Sequence, residues 1–271
     1  MKTELTLLDL FSGIGGFSLA ARWAGIETVQ FVEIDIFCQK VLVKNFPNVS
    51  ILSDIRDFTL LVGQHVGHQV DIITAGFPCQ PFSIGGKKKG SKDDRYLWPE
   101  TIRVIRASKP RWILLENVSG IISWLDPILE DLETEGYTWW AYLIAASSIG
   151  APHKRERLWI VANTNDVGCN NGFDNAEKCR IQNDFQRNLQ DLQKEWSQCQ
   201  PDTWKTLNAE DWIEYNSKLS GRDDGLSNRV DRIKAVGNSI VPQIAYMFLS
   251  IIAGIEEYGR ERETNQANPQ R

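Results

Sequence analysis

Residues 6–35 read TLLDLFSGIGGFSLAARWAGIETVQFVEID, and this stretch decides the fold class. TLLDLF is a short apolar run suited to a buried strand, and it breaks at Gly13, Gly15 and Gly16. GFSLAARWAG then places apolar residues at helical spacing, and ETVQFVEID is a second strand that ends on Glu33. A strand, a glycine turn, a helix and a strand make the opening unit of a parallel α/β sheet.

The same alternation continues outward. IFCQKVLVKNFP reads as a helix, VDIITAG as an apolar strand ending in glycine, and LWPETIRVIRASKP as an amphipathic helix. RWILLENV is a further strand and DPILEDLETEGY the helix after it. WWAYLIAASS and RLWIVAN, joined by IGAPHKRE, predict a β-hairpin at the sheet edge. Strands spaced by helices of this length predict a doubly wound, mostly parallel sheet of Rossmann-like type. From Asn163 the chain turns rich in Asn, Gln and Asp without apolar periodicity, which predicts a small separate lobe or a partly disordered insertion. Order is expected again at NRVDRIKAVGNSIVPQIAYMFLSIIAGI, followed by a polar, frayed tail from EEYGRERE onward.

The 271 residues suffice for a full α/β core and a second, smaller lobe. No apolar run reaches the roughly 18 residues of a membrane span. MKTELTLLDL lacks a basic flank followed by an apolar segment, so no signal peptide is expected and the cytoplasm is the expected compartment. Five cysteines without CxxC spacing indicate neither a disulfide framework nor a zinc site, and no metal is expected. The net charge of −5 does not by itself suggest a polyanion partner. A local basic stripe is enough for nucleic acid, however, and Lys87, Lys88, Lys89, Lys92 and Arg95, then His153, Lys154, Arg155 and Arg157, are the candidates. A solvated surface is the plain alternative for a lysine-rich loop.

In DLFSGIGGF the glycines let a ligand approach the backbone and expose a helix N-terminus. About twenty residues on, Glu33 stands where a dinucleotide fold grips ribose hydroxyls. Asp54, after the second helix, is expected at the C-terminal edge of a third strand. The spacing is not GxGxxG, which weakens a nicotinamide reading, and the absence of GKS or GKT excludes a P-loop. The glycine loop alone would be an ordinary tight turn; with Glu33 and Asp54 in register it favours a nucleoside-containing cofactor.

GFPCQPFSIGGKKKG, residues 76–90, puts Cys79 just past the end of an apolar strand, with Pro78 and Pro81 stiffening the turn. A lone cysteine is commonly a small buried hydrophobe. As a nucleophile it would need help, since a thiol with a pKa near 8.5 is only a few per cent thiolate at neutral pH. Glu116 and Asn117 close the apolar run of LLENV, where a carboxyl is costly to ionise and can serve as a proton donor. A buried glutamate satisfied by backbone amides is the alternative. In HKRER, alternation places Arg155 and Arg157 on one face, and two adjacent guanidiniums need an anionic or carbonyl-rich partner.

Together these strings resemble the DNA cytosine-5 methyltransferases. DLFSGIGGF looks like that family's S-adenosylmethionine loop, GFPCQPFS like its catalytic motif, ENV like its proton-donor motif and HKRER like its QxRxR motif. KAVGNSIVPQIA looks like the C-terminal motif that completes the cofactor pocket. The resemblance implies a catalytic domain over 1–161 and 229–271, with target recognition in 162–228. It implies Cys79 as the nucleophile on cytosine C6, Glu116 as donor to N3, Asn117 as a brace for the loop carrying Pro78, Arg157 on the base O2, and Arg155 orienting neighbours or a phosphate. Phe11, Gly13, Gly15, Phe17, Glu33, Asp54, Ile55, Pro78, Asn238 and Ser239 would form the S-adenosylmethionine site, and the product would be S-adenosylhomocysteine. Ser83, Lys87, Lys88, Lys89 and Arg95 would meet DNA phosphates. The implied substrate is double-stranded DNA with the target cytosine flipped out. A monomer is expected, and a cognate restriction endonuclease is a candidate partner.

Three features depart from the family pattern. His153 replaces the usual Gln, which would make its charge vary with pH. The usual Arg-rich block ending in Gly-Phe-Pro is missing, and Arg222, Arg229 and Arg232 stand in its place. Trp196, Trp204 and Trp212 fall in the recognition region, where the core of a small lobe is favoured over a DNA wedge. The alternatives are a tRNA cytosine-5 methyltransferase, whose Cys-Phe-Thr segment is absent, and a catalytically silent DNA-binding relative. A thiol oxidoreductase is a more distant alternative, with no resolving cysteine beside Cys79.

Overall fold

The computed structural model describes residues 5–59, 70–78, 96–149, 151, 154–164, 187, 190–191, 194, 235 and 237–267, apart from the side chains of 261–267. The described strands are β1 (Thr6–Leu10), β2 (Glu27–Val32), β3 (Ser50–Leu52), β4 (Ile72–Ala75), β5 (Trp112–Val118), β6 (Tyr137–Ala145) and β7 (Glu156–Thr164). The described α-helices are α1 (Gly16–Trp23), α2 (Ile36–Asn45), α3 (Trp98–Ser108), α4 (Leu125–Thr134) and α5 (Pro242–Ala267).

All seven strands join one sheet in the order β3-β2-β1-β4-β5-β7-β6. The first five strands pair in parallel. β7 runs antiparallel between β5 and β6, so the expected hairpin does form that edge. The chain winds outward from β1 to β3 and then crosses to β4. That reversal leaves a crevice at the carboxyl ends of β1 and β4, where ligands bind in open α/β sheets. The three-residue SIL of β3 was not among the apolar runs, and it supplies the third strand ahead of Asp54.

Strand alternation builds two cores. Leu7, Ile72, Trp112, Leu114, Trp159 and Val161 face α1 and α5, where Trp159 stacks on Phe248 at 5.4 Å. Leu8, Leu10, Ile73, Ile113, Leu115 and Ile160 pack with Trp98, Ile102, Ile105, Ile128 and Leu132 from α3 and α4. Because both faces are covered, β4 and the start of β5 are buried at every position, and their sequences read as continuous apolar runs. α2 starts where it does because the Asp35 carboxylate accepts from the amides of Phe37 (2.9 Å) and Cys38 (3.3 Å).

The C-terminal tail differs from expectation. α5 continues to Ala267, through the polar stretch read as frayed. Glu256 explains the difference: its side chain is 2 % exposed, pairs with Arg111 at 2.7 Å and accepts from the Trp112 indole N–H at 2.8 Å. Arg111 also reaches Asp71 at 3.1 Å, and Asp71 accepts from the backbone and hydroxyl of Thr6. The start of this polar stretch is therefore anchored to the amino ends of β1, β4 and β5. No described helix is long and apolar enough to cross a membrane.

Candidate active site

The glycine turn after β1 is conformationally demanding. Phe11, Gly13 and Gly15 all have positive φ (54°, 55° and 87°). A non-glycine residue in that region is unfavourable by about 1–2 kcal/mol, so Phe11 marks a position the surrounding structure holds against local preference. A Cβ at Gly13 would meet nothing within 4 Å, so the turn presents bare backbone to open space. One at Gly15 would lie 2.8 Å from the Phe46 ring and 3.0 Å from Leu42. The close approach there is to α2, not to a ligand.

Glu33, at the end of β2, braces this turn. Its Oε2 accepts from the Gly13 amide and its Oε1 from the Asp35 amide, both at 2.7 Å. Burial raises its pKa, while the Asp35 and Gly13 amides pull the other way. Each oxygen keeps a lone pair for a further donor. Asp54 caps the short turn Ile55–Asp57 through the Arg56 amide at 3.0 Å and pairs with the Arg56 guanidinium at 3.3 Å.

The second cluster gathers at the ends of β5 and β7. Glu116 is 8 % exposed, and its Oε1 pairs with Arg157 Nε at 3.1 Å. Register explains the pairing, since Val118 of β5 lies opposite Arg157 of β7. Burial pushes the Glu116 carboxyl up to about 7 against the opposing pull of Arg157 and Arg155. At neutral pH it is therefore divided between a proton donor and a carboxylate. Its Oε2 lies 3.8 Å from where a Gly76 Cβ would stand, next to the segment leading to Cys79. Asn117 Nδ2 donates to the Phe77 carbonyl at 3.0 Å, and its Oδ1 accepts from the Val118 amide at 2.9 Å. That carboxamide ties the end of β5 to the residue before Pro78.

Arg155 stands ahead of β7 with φ 28°, so it is not part of the strand alternation expected for it. Its guanidinium donates to the carbonyls of Gly237 (3.0 Å) and Ser239. Burial, then the neighbouring Arg157, lowers its pKa. The two arginines have taken the two kinds of partner expected: a carboxylate for Arg157 and carbonyls for Arg155.

One cleft of about 630 Å³ runs from Phe11, Gly13, Glu33, Asp54 and Ile55 to Pro78, Glu116, Asn117, Arg155, Arg157 and Asn238. Its size is in the range of small-molecule sites. Three anticipated cofactor residues do not line it. Phe17 is 3 % exposed and its ring meets Trp159 edge-on at 6.0 Å, so it belongs to the core. Gly15 packs on α2, and the Ser239 hydroxyl turns to the Ile240 carbonyl. Residues that sequence reading passed over do line it: Ile34, Asp35, Gly76, Phe77, Leu97 and Gly237. Ile34, 67 % exposed between two acidic residues, carried a readable signal, because a bare apolar side chain there suits a flat ring. Leu97 carried none. Asp9 was also missed: it is fully buried, accepts from Ser18 (2.7 Å) and Thr74 (2.9 Å), and burial pushes its carboxyl up to about 7. Cys79, Ser83, Lys87, Lys88, Lys89, Lys92, Arg95, His153, Trp196, Trp204, Trp212, Arg222, Arg229 and Arg232 lie outside the described residues, as does nearly all of 162–228. No group of metal-ligating side chains occurs among the described residues.

The donor set fits S-adenosylmethionine. Glu33 and Asp54 offer acceptors for ribose hydroxyls and an exocyclic amine, Phe11, Ile34 and Ile55 offer apolar faces to a ring, and Gly13 leaves room beside the backbone. The seven-strand order with its single antiparallel insertion, and a cleft at the switch point, define the α/β fold of S-adenosylmethionine-dependent methyltransferases. The profile of the family described as C-5 cytosine-specific DNA methylase matches residues 5–225, and the chain belongs to that family. It is 36% identical over 166 residues to the Type II methyltransferase M.AplI of Arthrospira platensis, covering 60% of this chain and 46% of that protein. It is 35% identical over 178 residues to the Type II methyltransferase M.HhaI of Haemophilus parahaemolyticus, covering 62% and 52%. The chain thus spans about half the length of these relatives. Among solved structures, a putative DNA modification methyltransferase encoded within an E. coli prophage superposes with a TM-score of 0.52 at 28% identity, over 59% of this chain and 47% of that one.

Proposed function

We propose that this chain transfers a methyl group from S-adenosylmethionine to C5 of a cytosine flipped out of double-stranded DNA, through a covalent bond between Cys79 and C6. The observation that carries the reading is the single cleft that joins the Glu33–Asp54 end to the Glu116–Arg157 end, with Pro78 between them. Membership of the cytosine-5 family and the names of its Type II relatives support the same reaction.

The cofactor, when bound, supplies an electrophilic methyl group on its sulfonium. The chain's residues prepare the base. The Cys79 thiolate adds to C6 and the ring electrons move toward N3, where the Glu116 carboxyl delivers its proton. C5 thereby gains the electron density to take the methyl group. A water molecule then takes the C5 proton, the C5–H electron pair re-forms the C5–C6 double bond and expels the Cys79 thiolate, and the N3 proton passes back to the Glu116 carboxylate. Arg157 holds Glu116 and, in this reading, donates to the base O2. Asn117 fixes the Phe77 carbonyl, two residues before Cys79 in the chain. Ser83, Lys87, Lys88, Lys89 and Arg95 contact phosphates, a contribution that weakens with salt. The relatives' Type II names support a cognate restriction endonuclease as partner.

The test is bisulfite sequencing of DNA from a methylation-free bacterial host expressing this chain or its Cys79→Ser variant. Protected cytosines in one recurring sequence context, only with the parent chain, are expected. Complete conversion by a folded, S-adenosylhomocysteine-binding parent overturns the DNA reading in favour of an RNA substrate or a silent relative.

A further inference from the structure

Arg103 falls in the amphipathic string LWPETIRVIRASKP, which carried no functional reading, yet its guanidinium is committed on three sides. Nη1 donates to the Phe58 carbonyl at 2.8 Å, Nη2 to the Ile55 carbonyl at 2.7 Å, and Nε to Glu100 Oε2 at 2.7 Å. The first two bonds join α3 to a turn 45 and 48 residues earlier in the chain. The third, one helical turn back, fixes the plane of the fork.

What this fork joins is specific. The turn it grips, Ile55–Asp57, carries Asp54 and Ile55 into the cleft. The helix it comes from begins beside Leu97, which lines the same cleft. Asp54 holds its own turn through local bonds, its side chain to the Arg56 amide and guanidinium and its carbonyl to the Asp57 amide. Ile55 O already accepts from Phe58 N at 3.1 Å, and the Arg103 bond takes its second lone pair. Arg103 is thus a cross-link between two walls, and its length sets the distance between them.

We propose that Arg103 is the positioning residue for the nucleoside end of the cofactor cleft. It touches no ligand. It holds Asp54 and Ile55 at a fixed spacing from Leu97, so that a slot of constant width receives the purine. This rests on the cofactor reading above. Two charge-assisted bonds to rigid carbonyls suit the task, since such bonds are short, directional and stronger than neutral ones. A slot built in advance spares the ligand the cost of ordering it.

The test measures S-adenosylhomocysteine binding by calorimetry on the full chain, next to duplex DNA affinity and thermal unfolding. Arg103→Met is expected to weaken S-adenosylhomocysteine about tenfold or more while DNA affinity stays within twofold. Arg103→Lys, which can reach one carbonyl but not both, should fall between Met and the parent. Glu100→Gln, which frees the plane of the fork without removing it, should weaken binding by about threefold. If Arg103→Met fails to fold, Arg103→Lys and Glu100→Gln carry the test. Unchanged S-adenosylhomocysteine affinity in folded variants overturns the proposal. So does a loss shared equally by cofactor and DNA, which is what a merely structural staple gives. A parent chain that binds no S-adenosylhomocysteine overturns this proposal and the cofactor reading together, whereas a difference confined to the variants leaves that reading standing.

Discussion

Two opposed effects act on Glu116, and replacing it with glutamine decides between them. Burial favours the neutral carboxyl, whereas Arg157 at 3.1 Å and the nearby Arg155 favour the carboxylate. The structure gives burial the larger influence, so the folded-state pKa stands near 7 against an ordinary 4.5. A raised carboxyl pKa means the folded chain binds more protons than the unfolded chain between those values, and stability then falls as pH rises. Integrating the linkage relation from pH 5 to pH 8 with those two values gives a loss of about 2–3 kcal/mol from this residue alone. Had the ion pair dominated, the folded-state pKa would lie below 4.5, the gain in stability would fall below pH 5, and the residue would contribute almost no change from pH 5 to pH 8.

The assay is urea unfolding followed by tryptophan fluorescence at pH 5, 6, 7 and 8, for the parent and Glu116→Gln. Glutamine cannot titrate, so its contacts, good or bad, add the same amount at every pH. Only the change in the difference between the two chains with pH reports Glu116. That difference is expected to shift by about 2–3 kcal/mol in favour of glutamine from pH 5 to pH 8. Asp9, pushed up to about 7 by burial, titrates in both chains and cancels. Parallel curves, or a shift favouring the parent at high pH, refute the claim that burial outweighs the arginines. The carboxyl would then be ionised at neutrality, and the proposed proton delivery to N3 would lose its source.

The remaining predictions concern the frame around that carboxyl. Gly15→Ala should destabilise the chain by about 2–3 kcal/mol in urea unfolding, since a left-handed alanine costs about 1–2 kcal/mol and its methyl must also displace the Phe46 ring 2.8 Å away. An unchanged midpoint would show that the turn relaxes freely. Asn117→Ala leaves the Phe77 carbonyl and the Val118 amide without the side-chain partner they have now, so single-turnover methyl transfer should drop at least tenfold. S-adenosylhomocysteine affinity should stay within about twofold, and equal losses in both measurements would count against a role confined to the nucleophile's approach. Glu256→Ala should cost about 2–3 kcal/mol in the same unfolding assay, somewhat below a fully buried pair because Arg111 is 34% exposed. A cost under about 0.5 kcal/mol would mean the helix is held by its apolar face alone.

Local pattern carried much of this architecture. The apolar runs of β1, β4 and β5 and the helical spacing in α1 and α3 depend on near neighbours, so they survive in a single sequence. The polar pair Glu116–Asn117 stood out for the same reason, as charge and amide at the end of an apolar run. What could not be read are choices made by residues distant in the chain. Phe17 was implied as a cofactor residue by the family resemblance, and Trp159, far along the sequence, meets its ring in the core. Gly15 looked like a ligand approach because glycine permits one, but the atom that requires it belongs to Phe46. The tail from Glu256 looked frayed because its composition is polar, yet Trp112 and Arg111, 144 and 145 residues earlier, give its first carboxylate a buried partner.

The arginines make the same distinction sharper. Arg103, Arg155 and Arg157 are chemically identical and all stand within one or two contacts of the cleft. Their roles separate only by partner. Arg157 is paired with a carboxylate whose proton the proposed chemistry needs, so its charge tunes that proton. Arg155 and Arg103 each grip two backbone carbonyls, which do not titrate; the contribution of Arg103 is geometric, while Arg155 adds to the pull on Glu116. Substituting Arg157 should therefore move the Glu116 titration upward, because the opposing attraction is removed. Substituting Arg103 should leave that titration where it is and alter only the nucleoside end. A sequence motif that groups arginines by spacing merges these roles, and the hydrogen-bond acceptor each one meets separates them.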